Sequence, residues 1–174
     1  MSMMKTILLT IVVGALCLAG CTRQAPPSVK PISEARVVKS SADVVKLVEP
    51  RISVAAGTSD NLLVPLAIEK GYHVNANPAT FDYLIATEIS ADKVEGITVG
   101  KPVYPPPVTR KFQFAEKPLA VYEGDAQIKL PMQVAANAPK GKQSVALRVR
   151  VQACDEEKCF PPDTLQVQAA VDVR

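Results

Sequence analysis

Beyond Pro50 apolar and polar residues alternate with a period of two, and before it they hardly do. The clearest runs close the chain. Val145, Leu147, Val149 and Val151 share one parity against Ala146, Arg148, Arg150 and Gln152. Leu165, Val167, Ala169, Val171 and Val173 then alternate with Thr164, Gln166, Gln168, Ala170 and Asp172. Alternation of this kind marks strands with one buried face, because successive side chains leave a strand on opposite sides. Shorter runs of the same kind contain Ile52 and Val54, Leu62 to Ile68, Tyr83 to Ile89, Ile97 with Val99, Phe112 with Phe114, and Ile128 to Val134. Pro131 inside the last of these predicts an edge strand, since proline has no N–H to give a ladder. About seven or eight such strands, separated by Pro- and Gly-marked turns, predict an all-β fold, a two-sheet β-sandwich over residues 49–174.

Upstream the pattern changes. Residues 21–48 are polar, hold Pro26, Pro27 and Pro31, and show only a weak helical period at Asp43 to Val48. They are expected to form a flexible tether, reaching roughly 30 Å as a coil. Residues 1–20 place Lys5 before the apolar run Thr6 to Leu18, which is shorter than the ~20 residues of a comfortable membrane span. The run ends in Leu18-Ala19-Gly20-Cys21, which resembles the lipobox of bacterial lipoproteins. The resemblance implies a signal peptide over 1–20, lipid on Cys21, and a membrane anchor on the periplasmic side of the envelope. By the enteric-type sorting rule that goes with this resemblance, Thr22 in place of Asp implies the outer membrane over the inner. A signal peptide cut near Ala19 with Cys21 left free, or an uncleaved anchor, remains open.

Composition narrows the function classes. The 174 residues suit one domain plus appendages. Fifteen Pro against eight Gly speaks against long helices. The 20 basic and 17 acidic residues are scattered and leave a net charge of +3, with no stripe for nucleic acid. There is no phosphate loop and no dinucleotide fingerprint, and no cofactor is expected. A hydrolase triad would have to use His73, the chain's single histidine, and no nucleophile elbow accompanies it.

The cysteines carry the remaining chemistry. With Cys17 in the signal and Cys21 under lipid, Cys154 and Cys159 are left, in a compartment where disulfides persist. Parity continued from Val145 places Cys154 on the outward face with Arg148, Arg150 and Gln152, and Cys159 in the connection to the last strand. The pair is therefore expected at the lip of a loop. A structural staple and a reactive disulfide both fit that spacing, although so short a loop stabilises by only about 2 kcal/mol against nearly 5 for a hundred-residue one.

The stretch Gln152-Ala153-Cys154, then Cys159-Phe160-Pro161-Pro162-Asp163-Thr164, resembles the active-site segment of the N-terminal periplasmic domain of the thiol:disulfide interchange protein DsbD. Gly71-Tyr72-His73-Val74-Asn75 and Val121-Tyr122-Glu123-Gly124, leading to Leu130-Pro131, resemble further segments of the same domain. The likeness covers about residues 50–174. It implies an immunoglobulin-like sandwich and a protein-disulfide reductase relay, with Cys154 and Cys159 as the catalytic pair. Electrons would come from a thioredoxin-like domain or protein and pass to a disulfide isomerase or a cytochrome-maturation thioredoxin. Cys159 would attack, and Cys154 would resolve the mixed disulfide. Lys158 would favour the Cys159 thiolate, and Asp155, Glu156 and Glu157 would oppose ionisation nearby. A cap loop is implied too, with Tyr104 and Pro105 as the expected shield; Tyr72, His73 and Phe160 are expected to line the site. The membrane conduit and thioredoxin-like domain usually joined to this module do not occur in the sequence, so anchoring through Cys21 is expected to confine it near separate partners. Two alternatives stand beside the relay. One is a Cu(I) or Zn²⁺ site made from Cys154, Cys159 and His73; the other is an inert sandwich with a static disulfide.

Overall fold

The computed structural model describes residues 37–174. The expected signal peptide, Cys21 and most of the tether lie outside the described residues. A 3-10 turn at Ser41–Asp43 is followed by β1 (Val45–Leu47), β2 (Arg51–Val54), β3 (Ser59–Ile68), β4 (His73–Asn75), β5 (Glu88–Ala91) and β6 (Ile97–Val99). Then come β7 (Val108–Arg110), β8 (Leu119–Tyr122), β9 (Asp125–Val134), β10 (Gly141–Val151), β11 (Ala153–Cys154) and β12 (Asp163–Val173).

The strands form sheets ordered β1-β3-β9-β6, β2-β12-β10-β5 and β11-β4-β8-β7. The longest alternating runs become the longest ladders: β10 pairs with β12 from Gly141↔Val173 to Val151↔Asp163, and β3 pairs with β9 from Ser59↔Gln133 to Ala67↔Asp125. Leu62, Val64, Leu66, Ile128 and Leu130 from the first sheet share one core with Val145, Leu147, Val149, Ala169 and Val171 from the second. Burying each such Leu, Ile or Val is worth about 1.5–3 kcal/mol, and the period of two delivers them all to one side. The fold is the expected all-β, immunoglobulin-like sandwich of two sheets. A third sheet has four short strands.

Four local expectations differ. The tether expected up to residue 48 is built into the domain from Ser41 onward. Ser41, Val44 and Val45 are fully buried, and Val45–Leu47 pair with Ile68–Leu66 at the edge of the first sheet. Three residues are too few for alternation to register in sequence. Tyr83 to Ile89 is not one extended run: exposed Tyr83 lies in a turn closed by Leu84 N–H donating to Phe81 O at 3.1 Å, and only Glu88 and Ile89 pair, in β5. Phe112 and Phe114 lie in the loop after β7 rather than on a strand; Phe112 packs with Leu119 and Val121 in a separate apolar cluster. Lastly, β9 is not an edge. Its Pro131 pairs with Asn61 of β3 and uses its carbonyl on the other side to accept from Gly100 N–H at 2.7 Å. That flank lies just past the last β6 pair, Val99↔Met132, so the missing N–H leaves no acceptor of a regular ladder unserved.

Candidate functional site

The third sheet carries Cys154, in β11. After β10 the chain leaves its sheet at Gln152 and pairs again as β11 with β4, Ala153 opposite Val74 and Cys154 opposite His73. The change of sheet breaks the parity on which the outward placement of Cys154 rests. Cys154 is fully buried, and Cys159, half-buried, is the more accessible of the two. They are joined by a disulfide across five positions and also face each other as an antiparallel bridge.

The hairpin between them is set by its own residues. Asp155 N–H donates to Lys158 O at 2.9 Å, and Phe160 N–H to Ala153 O at 2.8 Å. The Asp155 carboxylate accepts from the N–H groups of Glu157 and Lys158, each at 2.8 Å, which is how Asp stabilises tight turns. Lys158 Nζ stands 5.6 Å from the centroid of Phe160, and the buried Phe160 packs against Tyr72, with centroids 5.9 Å apart.

Polar side chains fix the hairpin to the rest of the domain. Ser41 Oγ accepts from Ala153 N–H at 2.9 Å and donates to Pro161 O at 2.7 Å, clasping the hairpin before its first cysteine and after its second. Ala42 N–H donates to the Asp163 carboxylate at 2.9 Å. Gln152 Oε1 accepts from Ile85 N–H at 3.0 Å and from Asn75 Nδ2 at 3.1 Å, and Thr87 Oγ1 donates to Asn75 O at 2.7 Å. These contacts give a physical reason for Gln152 ahead of Cys154 and for Asn75 at the end of the Gly71 motif. Ser41 had no such signal, because its partners lie more than a hundred positions away.

Gly71 opens that motif. Tyr72 N–H donates to Glu69 O at 3.1 Å, closing a turn in which Gly71 has φ 90°, a conformation that costs other residues a clash with Cβ. The turn delivers Tyr72 and His73 to the hairpin. His73 is 2% exposed, and burial holds its pKa at about 4, against opposing pulls from Glu123 and Asp155; the imidazole is neutral near pH 7. Its ring stacks on Phe112 with centroids 4.0 Å apart, and Phe112 stacks on Phe114 at 5.4 Å. Arg110 grips Glu123 through two hydrogen bonds of 2.9 and 2.7 Å, and this keeps the Glu123 carboxyl below the usual range. A cleft of about 880 Å³ beside the hairpin is lined by His73, Tyr72, Phe112, Arg110, Glu123 and Glu156, among others.

The expected shield lies elsewhere. Tyr104 packs against the sandwich core, accepts from Ile89 N–H at 3.2 Å, and lines a different cleft with Glu88 and Arg150. Pro105 lines a third cleft with Tyr122 and Gln127. The run of prolines after Tyr104 leads into β7, and the ring laid over the residue opposite Cys154 is Phe112, on the loop that follows. Of the expected residues, the structure gathers Cys154, Cys159, Tyr72, His73 and Phe160. Among the described residues no group of three or more His, Cys, Asp and Glu side chains is placed to hold a metal ion.

Residues 42–170 match the family described as "Thiol:disulfide interchange protein DsbD, N-terminal". Among solved structures the chain is similar to the DsbD N-terminal domain of Neisseria meningitidis in its reduced form. Identity there is 20% over 67% of this chain and 82% of that one, with a TM-score of 0.46. It is similar also to the N-terminal periplasmic domain of ScsB from Proteus mirabilis, at 8% identity over 72% of this chain and 44% of that one, with a TM-score of 0.48. No curated protein sequence matches the chain.

Proposed function

Because the chain belongs to the family of the N-terminal domain of the thiol:disulfide interchange protein DsbD, we propose that its thiol–disulfide exchange module relays electrons through Cys154 and Cys159. The donor is a thioredoxin-like protein or domain. The acceptor is a disulfide isomerase or a cytochrome-maturation thioredoxin. The observation that carries the reading is one disulfide with unequal sulfurs, Cys154 buried and Cys159 at the lip.

In the proposed sequence a donor thiolate attacks Cys159 Sγ and expels Cys154 as a thiolate, which takes up a proton. The donor's second thiol then attacks its own sulfur in the mixed disulfide. The donor leaves oxidised and the domain keeps two thiols. On the outward leg the Cys159 thiolate attacks the acceptor's disulfide, and Cys154 resolves the mixed disulfide by attacking Cys159. Nucleophilic attack needs an open line to the sulfur, and exposure favours Cys159 as the sulfur attacked. Phe112, stacked over His73 on the loop between β7 and β8, takes the shielding role assigned by sequence to Tyr104. Tyr72, His73 and Phe160 line the site.

The proposal includes the address. Residues 1–20 direct export, Cys21 carries lipid on the periplasmic side with the outer membrane favoured, and the tether raises the local concentration of partners. The motivation is the lipobox-like Leu18-Ala19-Gly20-Cys21.

A Cys154→Ala variant tests the relay. It should accumulate a mixed disulfide through Cys159 with a thioredoxin-like protein in cells, visible as a reducible adduct on gels. No adduct under either oxidising or reducing conditions would leave a static disulfide as the better description. Adding Cys21→Ser to an exported trap should lower the yield of adduct, and an unchanged yield would remove anchoring from the proposal.

A further inference from the structure

His73 is a buried side chain that the exchange steps leave unused. Its Nε2 has no hydrogen-bond partner among the described residues, although the residue is 2% exposed. A buried polar atom without a partner is costly, and a site that keeps one has a reason for it. His73 and Cys154 are directly opposed across β4 and β11. In an antiparallel pair, opposed side chains rise from the same face with Cβ atoms about 4.5–5.5 Å apart. Phe112 stacks on the imidazole, which limits the access of water to the ring.

We infer that His73 sets the poise of the cysteine pair: its Nε2 pairs with the Cys154 sulfur in the dithiol state and lacks a partner in the disulfide state, so it favours reduction. The inference rests on the relay reading and adds to it which residue tunes the exchange. Reduction by a partner dithiol breaks the Sγ–Sγ bond of Cys154 and Cys159. Two electrons and two protons pass to these sulfurs, and the partner's thiols become a disulfide. The new Cys154 thiol offers an S–H to an unprotonated Nε2, and a transient Cys154 thiolate accepts from a protonated one. A disulfide sulfur has no proton to give and is a poor acceptor. One tautomer or the other is therefore satisfied only after reduction.

The test is the equilibrium of the intact domain with a dithiothreitol buffer. His73→Phe keeps a ring to stack on Phe112 and removes the nitrogen. It should shift the equilibrium toward the disulfide about five- to tenfold, and tenfold corresponds to about 30 mV more negative. His73→Gln, which retains a donor and an acceptor, should recover part of the shift. Equal potentials for wild type and His73→Phe overturn the inference, and so does a shift that Gln fails to recover, which would assign the effect to packing. The single histidine also gives an unambiguous NMR signal in the unmutated protein. Its Nε2 resonance should move on reduction, and a resonance that stays put overturns the inference even if a variant fails to fold. A wild-type disulfide that no dithiol reduces would instead sink the relay reading itself, and this inference with it.

Discussion

In β10 and β12 eleven consecutive residues pair in register, and the fully buried side chains there are aliphatic. In β11 two residues pair, and one of their partners is a buried histidine. The body of the sandwich is held by repetition: apolar burial recurs at alternate positions, and the backbones of β10 and β12 pair rung after rung. The cysteine-bearing end has few rungs and substitutes named side chains for them, with Ser41, Asn75, Gln152 and Asp155 each supplying a bond that a longer strand would have made through backbone. A region built by repetition spreads its stability over many equivalent contacts. A region built from single bonds can be altered one atom at a time, which suits a site whose covalent state must change.

The contrast can be broken most forcefully in the body. Leu147 is fully buried at the centre of β10, and Leu147→Ala should cost about 2–5 kcal/mol, read as a lower urea midpoint for the whole domain. A cost confined to the cysteine end, with the ladder of β10 and β12 unaffected, would show that the two regions are not divided as described.

A second measurement addresses the site through acid. The folded pKa of His73 is lowered to about 4 from 6.5, chiefly by burial. Between those values the unfolded chain binds a proton that the folded domain refuses, so stability rises with pH across that window and is complete above it. Acidification from pH 6.5 toward 4 should remove on the order of 3 kcal/mol, and His73→Phe should flatten that part of the profile. An equally steep slope in the variant would place the acid sensitivity elsewhere.

The smallest effect should be the most local. Ser41→Ala leaves the Ala153 N–H without its acceptor, at a cost of about 1–3 kcal/mol. Hydrogen exchange at Ala153 should quicken well before exchange in β10 and β12 does. Uniform loss of protection would mean that the clasp belongs to the body after all.

The same division explains what could be read in advance. β3, β9, β10 and β12 were legible because a long alternation repeats one piece of information many times. At the cysteine end, Cys154, Cys159 and His73 stand out by scarcity, whereas Gln152 and Phe160 can be singled out only by their likeness to a known motif, since no periodicity distinguishes them. Parity fails at Cys154 because the chain changes sheets within a single residue, Gln152, which leaves no trace in the alternation. Phe112 and Phe114 imitate a strand since two rings at i and i+2 fit either a pleat or a loop, and the loop prevails through Phe112's contacts with His73, distant in sequence, and with Leu119. Tyr104 matches the cap only as an aromatic residue in the corresponding stretch, and its ring is committed instead to the core and to the Ile89 N–H. Ser41 was invisible, because a serine among polar neighbours differs from them only through the company it keeps in three dimensions.

The Ser41 clasp has a consequence in time as well as in space. Its hydroxyl joins one extremity of the domain to residues 112 and 120 positions further along, a closure of very high contact order, and such contacts are slow to form. A chain that emerges N-terminus first holds Ser41 ready long before Ala153 and Pro161 arrive to meet it. The reactive loop therefore acquires its final shape only once the whole domain has emerged, and a half-made chain cannot yet present the finished exchange site.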